Sequence, residues 1–490
     1  MSKDLILVLD AGTTSTRAML FGFDGSLHSA KQAELEQFYP KPGWVEHDAA
    51  EIWAATLSCA QSIVADAGHG NIAAIGITNQ RETVVAWSRT TGQPLTKAIV
   101  WQDRRTAPFC EQLRNAGHEA AVQSKTGLRL DPYFSGTKMR WMLDNDAAVR
   151  AAADSGDLAF GTVESWLVFK LTGGKKHITD ASNASRTLLL SLDEADWSKP
   201  LCDILGVPRA ALPEIVDNCG DFGSTDSELF GAPIVITGLA GDQQSATIGQ
   251  GCLSVGDCKA TFGTGAFVLA NKGTQIPHSK HRLLGTVLYQ LDGRRHYALE
   301  GSVFVAGSLV KWLRDSLGII GSAAETEKLA RSVTNSGEVV IVPALSGLGA
   351  PHWRSEARGV IAGLSFNSGK AQIARAALEA MAHQTHDLAS AFDADGAAWT
   401  SLKIDGGMSA NDWMAQDIAD IMNLPVERPD FVETTALGAA MLAGVGAGIY
   451  SSLEEASVRM RGAVKAFKPV MPEPERRDRL SRWAKALAAA

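Results

Sequence analysis

Asp10-Ala11-Gly12-Thr13-Thr14-Ser15-Thr16-Arg17 follows the apolar run Leu5-Ile6-Leu7-Val8-Leu9 and precedes Ala18-Met19-Leu20-Phe21 and Asp24-Gly25. The first run reads as a buried strand, the second as its partner, and Asp24-Gly25 as a hairpin turn. The segment between the strands is therefore a turn of small hydroxyl residues with an acid at its entrance. Gly12 lets the backbone bend and a ligand approach closely. The N–H and hydroxyl groups of Thr13, Thr14 and Ser15 can donate to phosphate oxygens. Asp10 can hold Mg²⁺ through water, because that ion sheds its hydration shell reluctantly. No G-x-x-x-x-G-K-[ST] pattern occurs, so this is no Walker loop. Alone, the stretch fits an ordinary polar hairpin equally well.

The pattern recurs. Asp257-Cys258-Lys259-Ala260-Thr261-Phe262 leads into Gly263-Thr264-Gly265 and then Ala266-Phe267-Val268-Leu269-Ala270. Two such hairpins half a chain apart point to a duplicated domain with ATP between the copies. The arrangement resembles the actin-like ATPases.

The 490 residues exceed the size at which single cores stop growing, so two domains are expected. Hydrophobic residues at 45% and charged residues at 20% exclude a disordered or fibrous chain. A net charge of −8 argues against nucleic acid as a partner. Apolar runs are strand-length, so no membrane span is expected. Lys3-Asp4 leads directly into the first strand, which reads as no signal peptide. The six cysteines form no C-x-x-C, and the eleven histidines have no metal-ligand spacing; a reduced, cytoplasmic setting is expected.

Ile72-Ala73-Ala74-Ile75-Gly76-Ile77-Thr78 reads as a strand delivering Asn79-Gln80-Arg81-Glu82-Thr83, and Pro233-Ile234-Val235-Ile236-Thr237 as one delivering Gly238 through Gln244. Ligands in such sheets collect at strand carboxyl ends. Helical patterns cover Glu300–Leu317, Lys370–Phe392 and Thr434–Ala447. Leu402-Lys403-Ile404 reads as a strand ending at Asp405-Gly406-Gly407, with a helix opening near Asn411, a natural seat for an anion or adenosine. The domain boundary is placed near Gly249-Gln250-Gly251, giving domains 1–250 and 251–490.

Arg81-Glu82 at a strand end is either a surface ion pair, worth little, or part of a site. The aromatic residues Trp101, Tyr133 and Phe267 favour the second. Arg donating and Glu accepting would bracket vicinal hydroxyls, and the rings would cover a carbon backbone, which suits a short uncharged polyol.

The sequence resembles the FGGY carbohydrate kinases, and among them the glycerol kinases, along essentially its whole length. Segments carrying the resemblance include Asp10–Arg17, Asn79–Thr83, Ala98–Thr106, Ala240–Gln244, Phe262–Phe267 and Asp405–Asn411. One family signature runs from Tyr133 through Ser135, Lys138 and Trp141 to Asn145. The other runs from Gly359 through Gly363-Leu364 and Gln372-Ile373 to Leu378-Glu379.

The resemblance implies an α/β fold of two ribonuclease-H-like domains, as in actin-like ATPases, flanking an ATP and substrate cleft. It implies phosphorylation of glycerol by ATP with Mg²⁺, in a cytoplasmic homo-oligomer. It assigns glycerol binding to Arg81, Glu82, Trp101, Tyr133, Asp242, Gln243 and Phe267, with Asp242 the general base. Thr13, Thr14, Ser15 and Arg17 would bind phosphates; Thr264, Gly307, Lys311, Gly407 and Asn411 would complete the nucleotide site; Asp10 would hold the metal. The sequence departs from the common pattern at Ala11 (often Gln), Lys311 (often Gln) and His352 (usually Tyr). The family's fructose-bisphosphate loop, Gly-Gly-x-Arg, is replaced by Leu229-Phe230-Gly231-Ala232-Pro233. A kinase for another small polyol or ketose, and an actin-like ATPase without a sugar site, are the alternatives.

Overall fold

The computed structural model describes residues 3–354, 356–431 and 433–490. Two sheets organise the chain. The first holds β1 (Leu5–Ala11), β2 (Ser15–Gly22), β3 (Leu27–Glu34), β4 (Ile72–Asn79) and β5 (Ile236–Gly241), in the spatial order β5-β4-β1-β2-β3. β1, β2 and β3 form an antiparallel meander, and β4 and β5 run parallel to β1.

The second sheet holds β6 (Asp257–Phe262), β7 (Ala266–Gly273), β8 (Leu284–Leu291), β9 (Arg294–Val303), β10 (Ser401–Asp405), β11 (Val426–Pro429) and β12 (Val464–Phe467), in the order β8-β9-β7-β6-β10-β11-β12. Its central five strands, β9-β7-β6-β10-β11, repeat the first sheet: an antiparallel meander with two strands added in parallel. The duplication expected from the two hairpins is present in the topology.

Alternation in β1 decides what lies on each face of the first sheet. Leu7 and Leu9 join Ile52, Ala60 and Ile63 of helix α1 (Ala49–Ala67) in one core. Ile6 and Val8 join Ala436, Ala439, Ala440 and Ala443 of a helix from the other end of the chain in another. Four helices beyond α1 bear on the site: α2 (Asp242–Gly249), α3 (Gly307–Asp315), α4 (Lys370–Ala394) and α5 (Thr434–Gly446). α5 is covalently part of the second half yet packs on β1, β4, β5 and α2 of the first. Close approach makes this possible: a Cβ on Gly438 would stand 1.8 Å from the Ser245 carbonyl oxygen, and one on Gly249 2.0 Å from that of Thr434.

Two expectations need correction. The pattern over Glu300–Leu317 is not one helix; β9 runs to Val303 and α3 starts at Gly307. Glu300 lies between β7 and β8, paired with Leu269 and Leu284, and tertiary pairing overrides its helical periodicity. The strand read over Pro233–Thr237 is shifted to Ile236–Gly241, so Asp242 follows it directly. Small residues at Gly238 and Ala240 let the strand continue beneath α5: a Cβ on Gly238 would stand 2.4 Å from the Ala443 nitrogen.

Candidate active site

The β1–β2 turn is braced from below. Gly12 N–H donates to the Ser15 carbonyl, Gln80 N–H to that of Ala11, and Gln80 Nε2 to that of Gly12. Thr13 Oγ1 accepts from the Trp101 indole at 2.9 Å, which leaves the Thr13 hydroxyl proton free to donate elsewhere. Thr14 is exposed, and Thr13 and Ser15 are half-buried. Arg17, the cross-strand neighbour of Asp10, engages Asp10 Oδ2 and reaches Glu433 at the start of α5. In this arrangement Arg17 serves two carboxylates rather than an open phosphate seat. Burial raises the Asp10 pKa, against the pull of Arg17. Among the described residues Asp10 Oδ1 has no hydrogen bond, so one carboxylate oxygen remains for a hydrated cation.

Arg81 and Glu82, just past β4, are buried rather than a surface pair. Glu82 has φ of 62°, in the left-handed region that non-glycine residues rarely adopt, a conformation that clusters at functional sites. Arg81 Nη1 meets Glu300 Oε2 at 2.7 Å, its Nε lies 3.2 Å from Asp242 Oδ1, and its Nη2 is 3.5 Å from the Tyr133 hydroxyl. Arg186 closes the group: Nε to Glu82 Oε1 at 2.7 Å and Nη2 to Glu300 Oε1 at 3.0 Å. Two guanidinium and two carboxylate groups thus form a buried square of balanced charge. Burial would raise the Glu300 pKa, but Arg186 and Arg81 hold it down at about 2.

Asp242 opens α2 with its side chain 34% exposed, the open member of this cluster. Burial is the largest influence on its carboxyl and, with Glu82, pushes the pKa up to about 6 against Arg81 and Lys259. Gln243 follows, its Oε1 held at 2.9 Å by Lys259 Nζ. Trp101 stacks edge-on against Tyr133 at 5.7 Å. Phe267 and Leu269 share a face of β7, and Leu269 is the register partner of Glu300, so Phe267 stands on the same face as Glu300.

The second hairpin lines a cavity of about 540 Å³. It gathers Thr264, Gly307, Lys311, Gly407 and Asn411, all five nucleotide residues expected in the second half. Gly307 N–H bonds the Gly263 carbonyl, and a Cβ on Gly307 would stand 2.6 Å from that oxygen, so the glycine locks α3 to the hairpin. A Cβ on Gly407 would meet nothing within 4 Å. Asn411 caps the following helix through Met414 N–H.

Sequence reasoning missed Arg186, Glu300 and Lys259. Arg186 carries no local signal of its partners, and Lys259 precedes the second hairpin by four residues on the polar face of its strand, Asp257-Lys259-Thr261, which alternation alone reads as solvent-facing. Glu300 was hidden by the helical reading. Of the departures, Ala11 is buried in β1, Lys311 is exposed at the cavity, and His352 Nε2 bonds Asp387 at 3.0 Å.

A duplicated actin-like fold, with a charged floor and an aromatic wall beside a nucleotide-sized cavity, defines a small-molecule kinase. The chain matches the N-terminal domain of the FGGY family of carbohydrate kinases over residues 5–249 and its C-terminal domain over 258–447, and it belongs to that family. It is 51% identical over 490 residues to a glycerol kinase of Methylobacterium nodulans, covering 99% of this chain and 97% of that one. It is 52% identical over 488 residues to one of Deinococcus radiodurans, covering 99% and 97%. The Plasmodium falciparum glycerol kinase crystal structure with ADP superposes with a TM-score of 0.95 at 36% identity, covering 100% of this chain and 98% of that one.

Proposed function

We propose that this kinase transfers the γ-phosphoryl group of ATP to glycerol, giving sn-glycerol 3-phosphate and ADP, with Asp242 as general base. The observation that carries this reading is the Asp242 carboxylate, open to the cleft, 3.2 Å from Arg81 Nε and next in sequence to Gln243. A carboxylate with a pKa near 6 is ionised at neutral pH yet basic enough to accept a hydroxyl proton in the transition state. Asp242 takes the proton of the terminal hydroxyl, that oxygen bonds to the γ-phosphorus, and the bond from phosphorus to the bridging oxygen breaks with its electron pair leaving on ADP. Such a transfer depends on alignment and charge neutralisation rather than covalent catalysis. Arg81, Glu82 and Gln243 bracket the hydroxyls, and Trp101, Tyr133 and Phe267 cover the carbons.

The first hairpin, through Thr13, Thr14 and Ser15, serves the phosphates, and the 540 Å³ cavity takes the adenosine. Mg²⁺ fits the free oxygen of Asp10 through its hydration shell and would supply neutralisation of phosphate charge there. The division into domains 1–250 and 251–490, a homo-oligomer and a cytoplasmic setting belong to the same proposal. Among the described residues all six cysteines are free, and no helix is long and apolar enough to cross a membrane.

The test is coupled ADP release with glycerol, erythritol, dihydroxyacetone and xylulose. Glycerol is expected to give the highest kcat/KM. A preference for xylulose or erythritol would assign another substrate, and ATP turnover indifferent to all four would leave an ATPase.

A further inference from the structure

Lys259 lies on β6 with its side chain fully buried. Among the described residues its ammonium makes one hydrogen bond, to the neutral Gln243 Oε1 at 2.9 Å, and no carboxylate lies within ion-pair distance. A buried cation normally needs a charged partner, so this one is placed for something other than its own pairing. An ammonium has only donors, so the amide oxygen of Gln243 must be the atom that faces it. The Gln243 amide nitrogen is thereby committed to the other side. The strand registers place Lys259 opposite Leu269 and Leu269 opposite Glu300, so Lys259 and Glu300 emerge on one face of the second sheet, the face that also carries Phe267.

We propose that Lys259 is a positioning residue for phosphoryl transfer: from the second half it grips the Gln243 amide oxygen, turns Gln243 Nε2 toward the polyol, and sets the charge around Asp242. This rests on the glycerol-kinase reading of the same cleft. Asp242 faces Arg81 and Glu82 from the segment after β4, Lys259 from β6, and the backbone N–H of Gln243 on its own helix, with Glu300 and Arg186 behind Arg81. Glu82 opposes ionisation of Asp242, while Arg81 and Lys259 favour it. Without the ammonium, Asp242 would hold its proton to higher pH.

The experiment is steady-state kinetics of the full chain. Lys259→Met is expected to raise KM for glycerol about tenfold, the worth of a fixed hydrogen bond at a buried site, to leave KM for ATP within about twofold, and to move the acid limb of kcat/KM for glycerol to higher pH. Lys259→Gln keeps a donor without the charge, so it should recover KM for glycerol to within about threefold while the acid limb stays displaced. Gln243→Leu should reproduce the KM effect, and adding Lys259→Met to it should raise KM no further, since the two act as a unit. Additive effects in the double variant, an unmoved acid limb, or equal losses toward glycerol and ATP would overturn the proposal. So would a normal glycerol KM in Gln243→Leu, which requires no change at Lys259. Wild-type enzyme without glycerol-dependent ADP release would instead overturn the glycerol-kinase reading.

Discussion

Arg81 Nη1 and Glu300 Oε2 meet at 2.7 Å across 219 residues of sequence, one from the first half and one from the second. Arg81, proposed above to bind the polyol, is therefore not held by the first half alone, as its place in the sequence suggests. Glu300 fixes the guanidinium from above while Arg186 ties Glu300 back to Glu82. The floor of the cleft is a joint product of both halves, and its charges balance only when all four members are present.

Removing Glu300 leaves the buried Arg81 and Arg186 with one buried carboxylate, Glu82, and the part-exposed Asp242 beside Arg81. Breaking a buried pair by deleting one partner typically costs about 3–5 kcal/mol, because the remaining charge stays desolvated. Glu300→Ala is expected to lower the melting temperature by several degrees and to raise KM for glycerol, since Arg81 loses its anchor. Differential scanning calorimetry and the coupled assay measure the two effects. A melting temperature within a degree of wild type would show that water or relaxation compensates the lost charge.

Asp242 gives opposite signs for activity and stability. Its carboxyl has a pKa of about 6 in the fold against an ordinary 3.8, so the native state binds its proton more tightly than the unfolded chain. Ionised Asp242 thus disfavours the fold above pH 6, and the penalty fades as pH falls from 6 toward 4. Asp242→Asn should lower kcat by about 10²-fold or more, raise the melting temperature at pH 8, and change it little at pH 4. In the wild type, kcat/KM for glycerol should fall below an apparent pKa near 6. Near-normal turnover in Asp242→Asn would remove Asp242 from the role of base.

Much of this was legible because local chemistry and global fold agree. The turn from Asp10 to Arg17 has the residues a strand–turn–strand demands, Lys370–Ala394 is long and rich in strong helix formers, and Thr434–Gly446 is an apolar, alanine-rich run longer than a strand. The charged floor was only half legible. Arg81 and Glu82 adjoin a clear strand end, but Glu300 and Arg186 matter through pairings 219 and 104 residues away, and nothing local to either encodes its partner. The place of α5 on the first sheet was likewise invisible: its glycines signal close packing without naming the surface they pack against.

The cavity proposed to take the nucleotide separates two glycines by role. A Cβ on Gly407 would enter open space, while one on Gly307 would collide with the Gly263 carbonyl. Gly407→Leu should therefore fold normally, with an unchanged melting temperature, and raise KM for ATP by about tenfold or more, since it fills the cavity without straining the chain. Gly307→Leu should lower the melting temperature, because backbone must move to admit it. Nucleotide titration by calorimetry and thermal melts distinguish them. Undiminished ATP affinity in Gly407→Leu would place the nucleotide elsewhere.

Fructose 1,6-bisphosphate is expected not to inhibit this enzyme through the loop that the family likeness singles out. A sugar bisphosphate needs clustered N–H donors and a fixed guanidinium. Here Ser227–Phe230 is a single helical turn, Gly231 turns the chain at φ of 79°, and Pro233 lacks an N–H. Arg209, the nearby arginine in sequence that could substitute, already holds both oxygens of Asp196, at 2.7 and 2.6 Å. That surface pair is weak enough for a dianion to compete with it, so the measurement is a direct one: glycerol-dependent ADP release titrated with the bisphosphate to millimolar concentration at constant free Mg²⁺. A flat titration is the expected result. Saturable inhibition lost in Arg209→Ala would mean that Arg209 leaves Asp196 for the ligand, and inhibition lost on replacing residues 230–232 would mean that this loop builds the site without the Gly-Gly-x-Arg pattern.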